Sequence, residues 1–119
     1  MLDGHYPLST PWGEVDFSEE VVPGVYEIGT PSHGGLYVAP ERNKMVPYAW
    51  RKATFNGQGR LGWYEEDGDW IFPYLAFAEE ITAAGHGKRV GRARETFARR
   101  FPGHGLHVAN KSNHEESRA

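Results

Sequence analysis

The chain has 119 residues, with 13 Lys or Arg, 16 Asp or Glu, six His and a formal net charge of −3. It contains no cysteine, which excludes a disulfide frame and a thiolate metal site. No apolar run approaches membrane-spanning length, and the start MLDGHYPLSTPWG lacks the apolar stretch of a signal peptide, so the expected setting is one cytoplasmic domain with a moderate core.

Met1 to Thr10 reads as an irregular arm, and Pro11-Trp12-Gly13 as a turn that pins Trp12 to the domain. Glu14 to Val22 places Val15, Phe17 and Val21 at alternate positions, the pattern of a half-buried strand. Pro23-Gly24 is a turn, with glycine available for positive φ. Val25 to Thr30 then reads as a second strand, antiparallel to the first, and Leu36-Tyr37-Val38 as a third. Pro40 and Glu41 mark a short helix start, interrupted by Pro47, with Tyr48 to Phe55 continuing as a second helical piece. Asn56-Gly57-Gln58-Gly59-Arg60 is a loop; it lacks the Lys-Ser/Thr that a phosphate loop requires.

Leu61 to Phe77, LGWYEEDGDWIFPYLAF, is the stretch around which the expected fold is organised. Asp67-Gly68 between alternating apolar residues signals a β-hairpin, with strands Gly62–Glu66 and Asp69–Tyr74. In that register Trp63, Trp70 and Phe72 share the core face, and Glu66 lies opposite Asp69. Like charges facing each other on a ladder are unfavourable. The pair is relieved by an open loop with its acids in water, by a bridging cation or basic side chain, or by a carboxylate that titrates high.

Beyond the hairpin, Ala78 to Ala84 reads as a helical turn or two ended by Gly85-His86-Gly87. Lys88 to Phe101 is an amphipathic helix, with Val90, Ala93, Phe97 and Phe101 on one stripe and Lys88, Arg89, Arg92, Arg99 and Arg100 opposite. Pro102-Gly103 stops it, and residues 104–119, with His104, His107 and His114, form a polar tail. The charge is divided unevenly. Residues 1–87 hold 13 acids and 5 bases, a net −8, whereas residues 88–119 hold 3 acids and 8 bases, a net +5. The two parts attract each other or face different partners.

Three sets of residues are candidates for function. His33, in Ser32-His33-Gly34-Gly35, sits before two glycines that permit close backbone approach; it is either an accessible imidazole or a structural histidine bonded to backbone. Should it meet Glu66 and Asp69, the three would form a His-carboxylate metal site or an acid–base pair of a hydrolase or nuclease. The second set, Arg89, Arg92, Arg99 and Arg100, is a solvated face, a protein contact, or a track for the phosphates of a nucleic acid. The third, Glu65, Glu66, Asp67 and Asp69, is a nucleic-acid mimic, for which four acids are few, or an acidic lure for an Arg/Lys-rich partner.

Pro11-Trp12-Gly13, Ser32-His33-Gly34-Gly35-Leu36, Glu41-Arg42-Asn43, Ala53 to Gly59, and Gly62-Trp63-Tyr64-Glu65-Glu66-Asp67 with Asp69-Trp70 together resemble a domain-of-unknown-function family, over about residues 11–101. The resemblance implies small proteins of proteobacteria and of their phages and plasmids, a mobile-element setting in which small non-enzymatic proteins block host defence by CRISPR or restriction. It carries over no catalytic residue. Such hairpins often have cysteine where this chain has Gly68, so no thiol role is implied here.

The expected fold is α+β: an antiparallel sheet of about four or five strands with a central WYEEDGDW hairpin, packed by the C-terminal amphipathic helix. The expected domain spans residues 11–103, between the arm 1–10 and the tail 104–119. The expected function is a non-enzymatic binding protein that inhibits a host defence complex through Glu65, Glu66, Asp67 and Asp69 or through the Arg89, Arg92, Arg99 and Arg100 face, with no cofactor and no metal. The alternatives are a metal-dependent hydrolase or nuclease using His33, Glu66 and Asp69, and nucleic-acid binding by the basic helix.

Overall fold

The structure is a computed structural model that describes residues 9–54 and 61–102. The arm up to residue 8, the loop 56–59 and the tail 104–119 of the sequence reading lie outside the described residues.

Among the described residues six strands form, β1 (Ser9–Thr10), β2 (Gly13–Glu14), β3 (Phe17–Val22), β4 (Val25–Gly29), β5 (Gly34–Val38) and β6 (Trp63–Glu65). Strands β3-β4-β5-β6 make a four-stranded antiparallel sheet in that order, and β1 and β2 pair separately. The helices are α1 (Pro40–Asn43), α2 (Tyr48–Ala53), α3 (Ile71–Ala76), α4 (Ala78–Ile81) and α5 (Gly87–Arg100), and the connection Thr82–His86 between the last two is kinked at Gly85, φ 100°. The class is α+β, with the C-terminal helix against the sheet.

One expectation is overturned. The WYEEDGDW stretch does not close into a hairpin: its first half is β6, which pairs with β5, and its second half turns into α3. Pro73 is the physical reason. A strand there would lack a ladder donor at Pro73, whereas the first turn of a helix leaves its N–H groups unpaired in any case. The turn is closed from within. Trp70 N–H donates to Glu65 O at 3.1 Å, Asp67 N–H donates to Glu65 Oε1 at 3.0 Å, and Phe72 N–H donates to Asp69 O at 3.1 Å. Glu66 and Asp69 are therefore never ladder partners, and the like-charge conflict does not arise.

The core is also partitioned differently. Val21, Val22, Val25, Leu36, Val38 and Tyr64 point from the sheet onto the helices, where Ile71, Phe72, Leu75, Val90, Ala93 and Phe97 complete the main core. Trp63 turns to the other sheet face with Tyr26 and Ile28, covered by Trp12, Val15 and Tyr37. Trp63 and Phe72, expected on one face, thus serve opposite faces. Trp12 meets Trp63 edge-on, with centroids 5.4 Å apart and planes at 85°. The turn around Trp12 is made by Gly13 at φ 124°, and by Thr10 Oγ1 accepting from Trp12 N–H at 2.9 Å. The alternation expected over Glu14 to Val22 is broken by a bulge between Glu20 and Val22. It turns Val21 and Val22 both inward, while Phe17 stays 54 % exposed.

Two contacts lock these layers. Tyr64 is fully buried and its hydroxyl donates to Asn43 Oδ1, which ties β6 to α1. Arg42 forks onto the Glu80 carboxylate at 2.6 and 2.5 Å, donates through Nε to Pro23 O at 2.8 Å, and lies 5.0 Å from the Phe77 ring centroid. One guanidinium thereby joins the β3–β4 turn, α1 and α4.

Two measurable consequences follow from this packing. A Cβ at Gly35 would collide with the Tyr64 carbonyl and stand 2.6 Å from Trp12 Cη2. Gly35→Ala is expected to cost at least about 2 kcal/mol in urea unfolding, a loss typical of core overpacking. The Arg42 hydrogen bonds hold the Glu80 carboxyl below its ordinary 4.5. A depressed carboxylate stabilises the fold above its unfolded pKa and loses that contribution as pH falls through the folded value. Glu80→Gln should therefore flatten the fall of thermal stability below about pH 4.5.

Candidate functional site

The sheet pairing that carries the core also builds a charged cleft. Gly34 and Gly35 begin β5, and Glu65 of β6 is registered opposite Gly35. Glu66 N–H donates to Gly34 O at 3.1 Å, so the acidic turn starts directly beside the His33 loop. That loop is shaped by Thr30: its hydroxyl donates to His33 O at 2.8 Å and accepts from His33 N–H at 3.1 Å. His33 Nδ1 and Glu66 Oε2 then stand 3.2 Å apart, with the side chains 47 % and 48 % exposed. The tight contact that a Cβ at Gly34 would make is with the Ile28 carbonyl, at 3.0 Å, so this glycine eases the backbone approach of β4 rather than the placing of Glu66.

His33 and Glu66, far apart in sequence, do meet. Asp69 does not complete a metal site with them: among the described residues no three His, Cys, Asp or Glu side chains are grouped to hold a metal. The glycines of the Ser32-His33-Gly34-Gly35 motif have a packing role. What approaches Gly35 closely is the Tyr64 carbonyl and the Trp12 ring.

The four acids have separate roles. Glu65 is half-buried and holds Asp67 N–H; burial pushes its carboxyl up against that hydrogen bond, which lowers it. Glu66 and Asp67 are exposed, and Asp69 is half-buried at the base of the turn.

The basic face divides in the same way. Arg89 is bonded on all sides, to Glu19 Oε1 at 3.2 Å, to Glu27 Oε2 at 3.3 Å and to Tyr74 Oη at 3.3 Å. Tyr74 donates to Glu27 Oε2 at 2.6 Å. Burial, then the adjacent Glu27 carboxylate, raise the Tyr74 pKa far above its usual range, so the hydroxyl keeps its proton and remains a donor. Arg100 donates to Gly68 O at 2.8 Å and lies 5.8 Å from the Phe72 ring centroid, fastening the end of α5 to the acidic turn. Gly68 permits this, since a Cβ there would come 3.2 Å from the Arg100 guanidinium. Arg99 donates to Thr96 Oγ1 at 3.3 Å. Arg92 is exposed and has no hydrogen-bond or ion-pair partner among the described residues.

Between these elements lies a cleft of about 230 Å³. Leu36 and Gly35 contribute from β5, Trp70 and Tyr74 from the start of α3, Glu66 from the turn, and Arg89 and Arg92 from α5. The sequence reading missed the Glu27, Tyr74 and Arg89 cluster. Its signal was a glutamate at the centre of the otherwise apolar strand VYEIG. A second groove of about 450 Å³ lies under Met45 and Trp50, with the Arg42–Glu80 clamp and Arg94 on its rim.

The roles of neighbouring arginines are separable by experiment. Arg89→Ala leaves Glu27 and Tyr74 without their cation and is expected to destabilise by about 1–3 kcal/mol. Arg92→Ala should stay within about 0.5 kcal/mol of the parent in the same denaturant titration.

Comparison with known proteins gives a family without an assigned activity. No curated protein and no solved structure matches the chain. The family description "Domain of unknown function (DUF7007)" matches residues 5–119, nearly the whole sequence, and the chain belongs to that family.

Proposed function

We propose that this protein is a small binding protein that contacts a protein partner with the surface shared by the acidic turn, residues 65–69, and the basic face of α5. The observation that carries this reading is the Arg100 hydrogen bond to Gly68 O at 2.8 Å, which holds the two charged segments together as one patch. Glu66 and Asp67 of the turn and Arg92 of α5 are exposed. A patch with both signs favours a partner of matching charge order and penalises others. The class of partner rests on the resemblance to phage- and plasmid-associated proteins: a subunit of a host defence complex of the CRISPR or restriction kind, inhibited by the contact.

The contact between His33 and Glu66 favours a second reading, an acid–base pair acting in hydrolysis. Nucleic-acid binding draws less support, because Arg89 and Arg100 are already bonded within the protein.

Glu66→Gln combined with Asp67→Asn tests the first reading. Both side chains are exposed, so the melting temperature should hold while affinity for the co-purified partner falls by roughly tenfold or more, with a steeper loss at low salt. Unchanged affinity would remove the turn from the interface. Hydrolytic activity abolished by His33→Ala would transfer the assignment to the acid–base pair.

A further inference from the structure

The cleft between Glu66 and Arg92, two residues of the proposed contact surface, has a chemistry of its own. We infer that it binds a small zwitterion of the free α-amino acid class with an apolar side chain, its carboxylate on Arg92 and its ammonium on Glu66. Two groups of opposite charge line the cleft from different elements, Arg92 from α5 and Glu66 from the turn after β6. Arg89, one helical turn before Arg92, is already neutralised by Glu19 and Glu27. Arg92 and Arg94 donate to nothing among the described residues, whereas Arg42, Arg51, Arg89, Arg99 and Arg100 each make at least one hydrogen bond; Arg94 lines the other groove, so Arg92 is the unbonded arginine of this cleft. Glu66 has spent only Oε2, on His33; its Oε1 lies beside Gly34.

Ligand charge follows from that pairing. A purely anionic ligand would meet Arg92 but also the Glu66 carboxylate, and a purely cationic one would meet Glu66 but also Arg92. A ligand that carries both charges leaves neither group opposed. Between the two, the half-buried Trp70 ring offers apolar surface beside β5. The volume of about 230 Å³ lies below the usual range of drug-sized or nucleotide pockets, about 300–1,000 Å³, which suits a single amino acid.

The test is a titration of the full, isotope-labelled chain with L-leucine, L-methionine and L-phenylalanine, followed by amide and indole NMR shifts. At least one should give saturable shifts at Leu36, Glu66 and the Trp70 indole. Its N-acetyl derivative, which lacks the cation, and its amide, which lacks the carboxylate, should each bind at least roughly tenfold more weakly. Arg92→Gln should weaken the free amino acid by a similar factor and leave the amide unchanged. Glu66→Gln should weaken the free amino acid and leave the N-acetyl form unchanged. Both replaced side chains are exposed, and unchanged spectra away from the cleft will show that the variants fold. Absence of saturable shifts with all three amino acids, shifts located elsewhere, or equal binding of the blocked derivatives would overturn the inference.

Discussion

Close pairing of β5 with β6 at Gly35 is the constraint on which the rest of the structure depends. A side chain at that position would occupy the space of the Tyr64 carbonyl and of the Trp12 ring. With glycine there, β6 becomes the fourth strand, Tyr64 enters the main core, and Trp63 closes the opposite face with Trp12. The same pairing sets where the acidic turn begins, and so places Glu66 against His33 and faces the turn toward α5. Core, second face and cleft are consequences of one backbone approach.

Polar groups at the sheet–helix boundary tie the charged surface to the core. Glu27 emerges on the helix side of β4, where an unpaired carboxylate would be costly. It is met by the Tyr74 hydroxyl from α3 and the Arg89 guanidinium from α5, and Arg89 reaches on to Glu19 of β3. Four elements are joined through one cation. Arg42 does similar work at the other end of the sheet, with its fork on Glu80 and its bond to Pro23 O. Such bonds each contribute modestly to stability, but they fix the direction in which a segment leaves the core. The exposed charges of Glu66, Asp67 and Arg92 are displayed on this frame, and the division between structural and available arginines is not visible from their spacing on the helix.

Local rules read most of the elements correctly. Strand β4, the start of α1 at Pro40, the interruption at Pro47, and the stripe of Val90, Ala93 and Phe97 in α5 all follow from alternation, proline chemistry and helical periodicity, which act within a few residues. The hairpin expectation failed for a reason of the same local kind that was outweighed. Asp67-Gly68 does mark a turn, but Pro73 and the unbroken apolar run from Ile71 to Leu75 suit a helix buried on several sides better than a strand. The broken alternation before Val22 reflects a bulge, which leaves no signature in composition.

By itself, the sequence determined the α+β class, the amphipathic C-terminal helix, the acidic turn, and the glycine pair after His33. These depend on periodicity, charge content and backbone permissiveness, all carried by neighbouring residues. Only the tertiary structure decided that β6 pairs with β5, that His33 touches Glu66 but forms no metal-ligating group with Asp69, and that Arg89 is bound to glutamates while Arg92 is not. Those facts depend on contacts between residues 33 and 66 or 19 and 89, far apart along the chain, whose meeting is set by strand order and by the packing of α5 on the sheet.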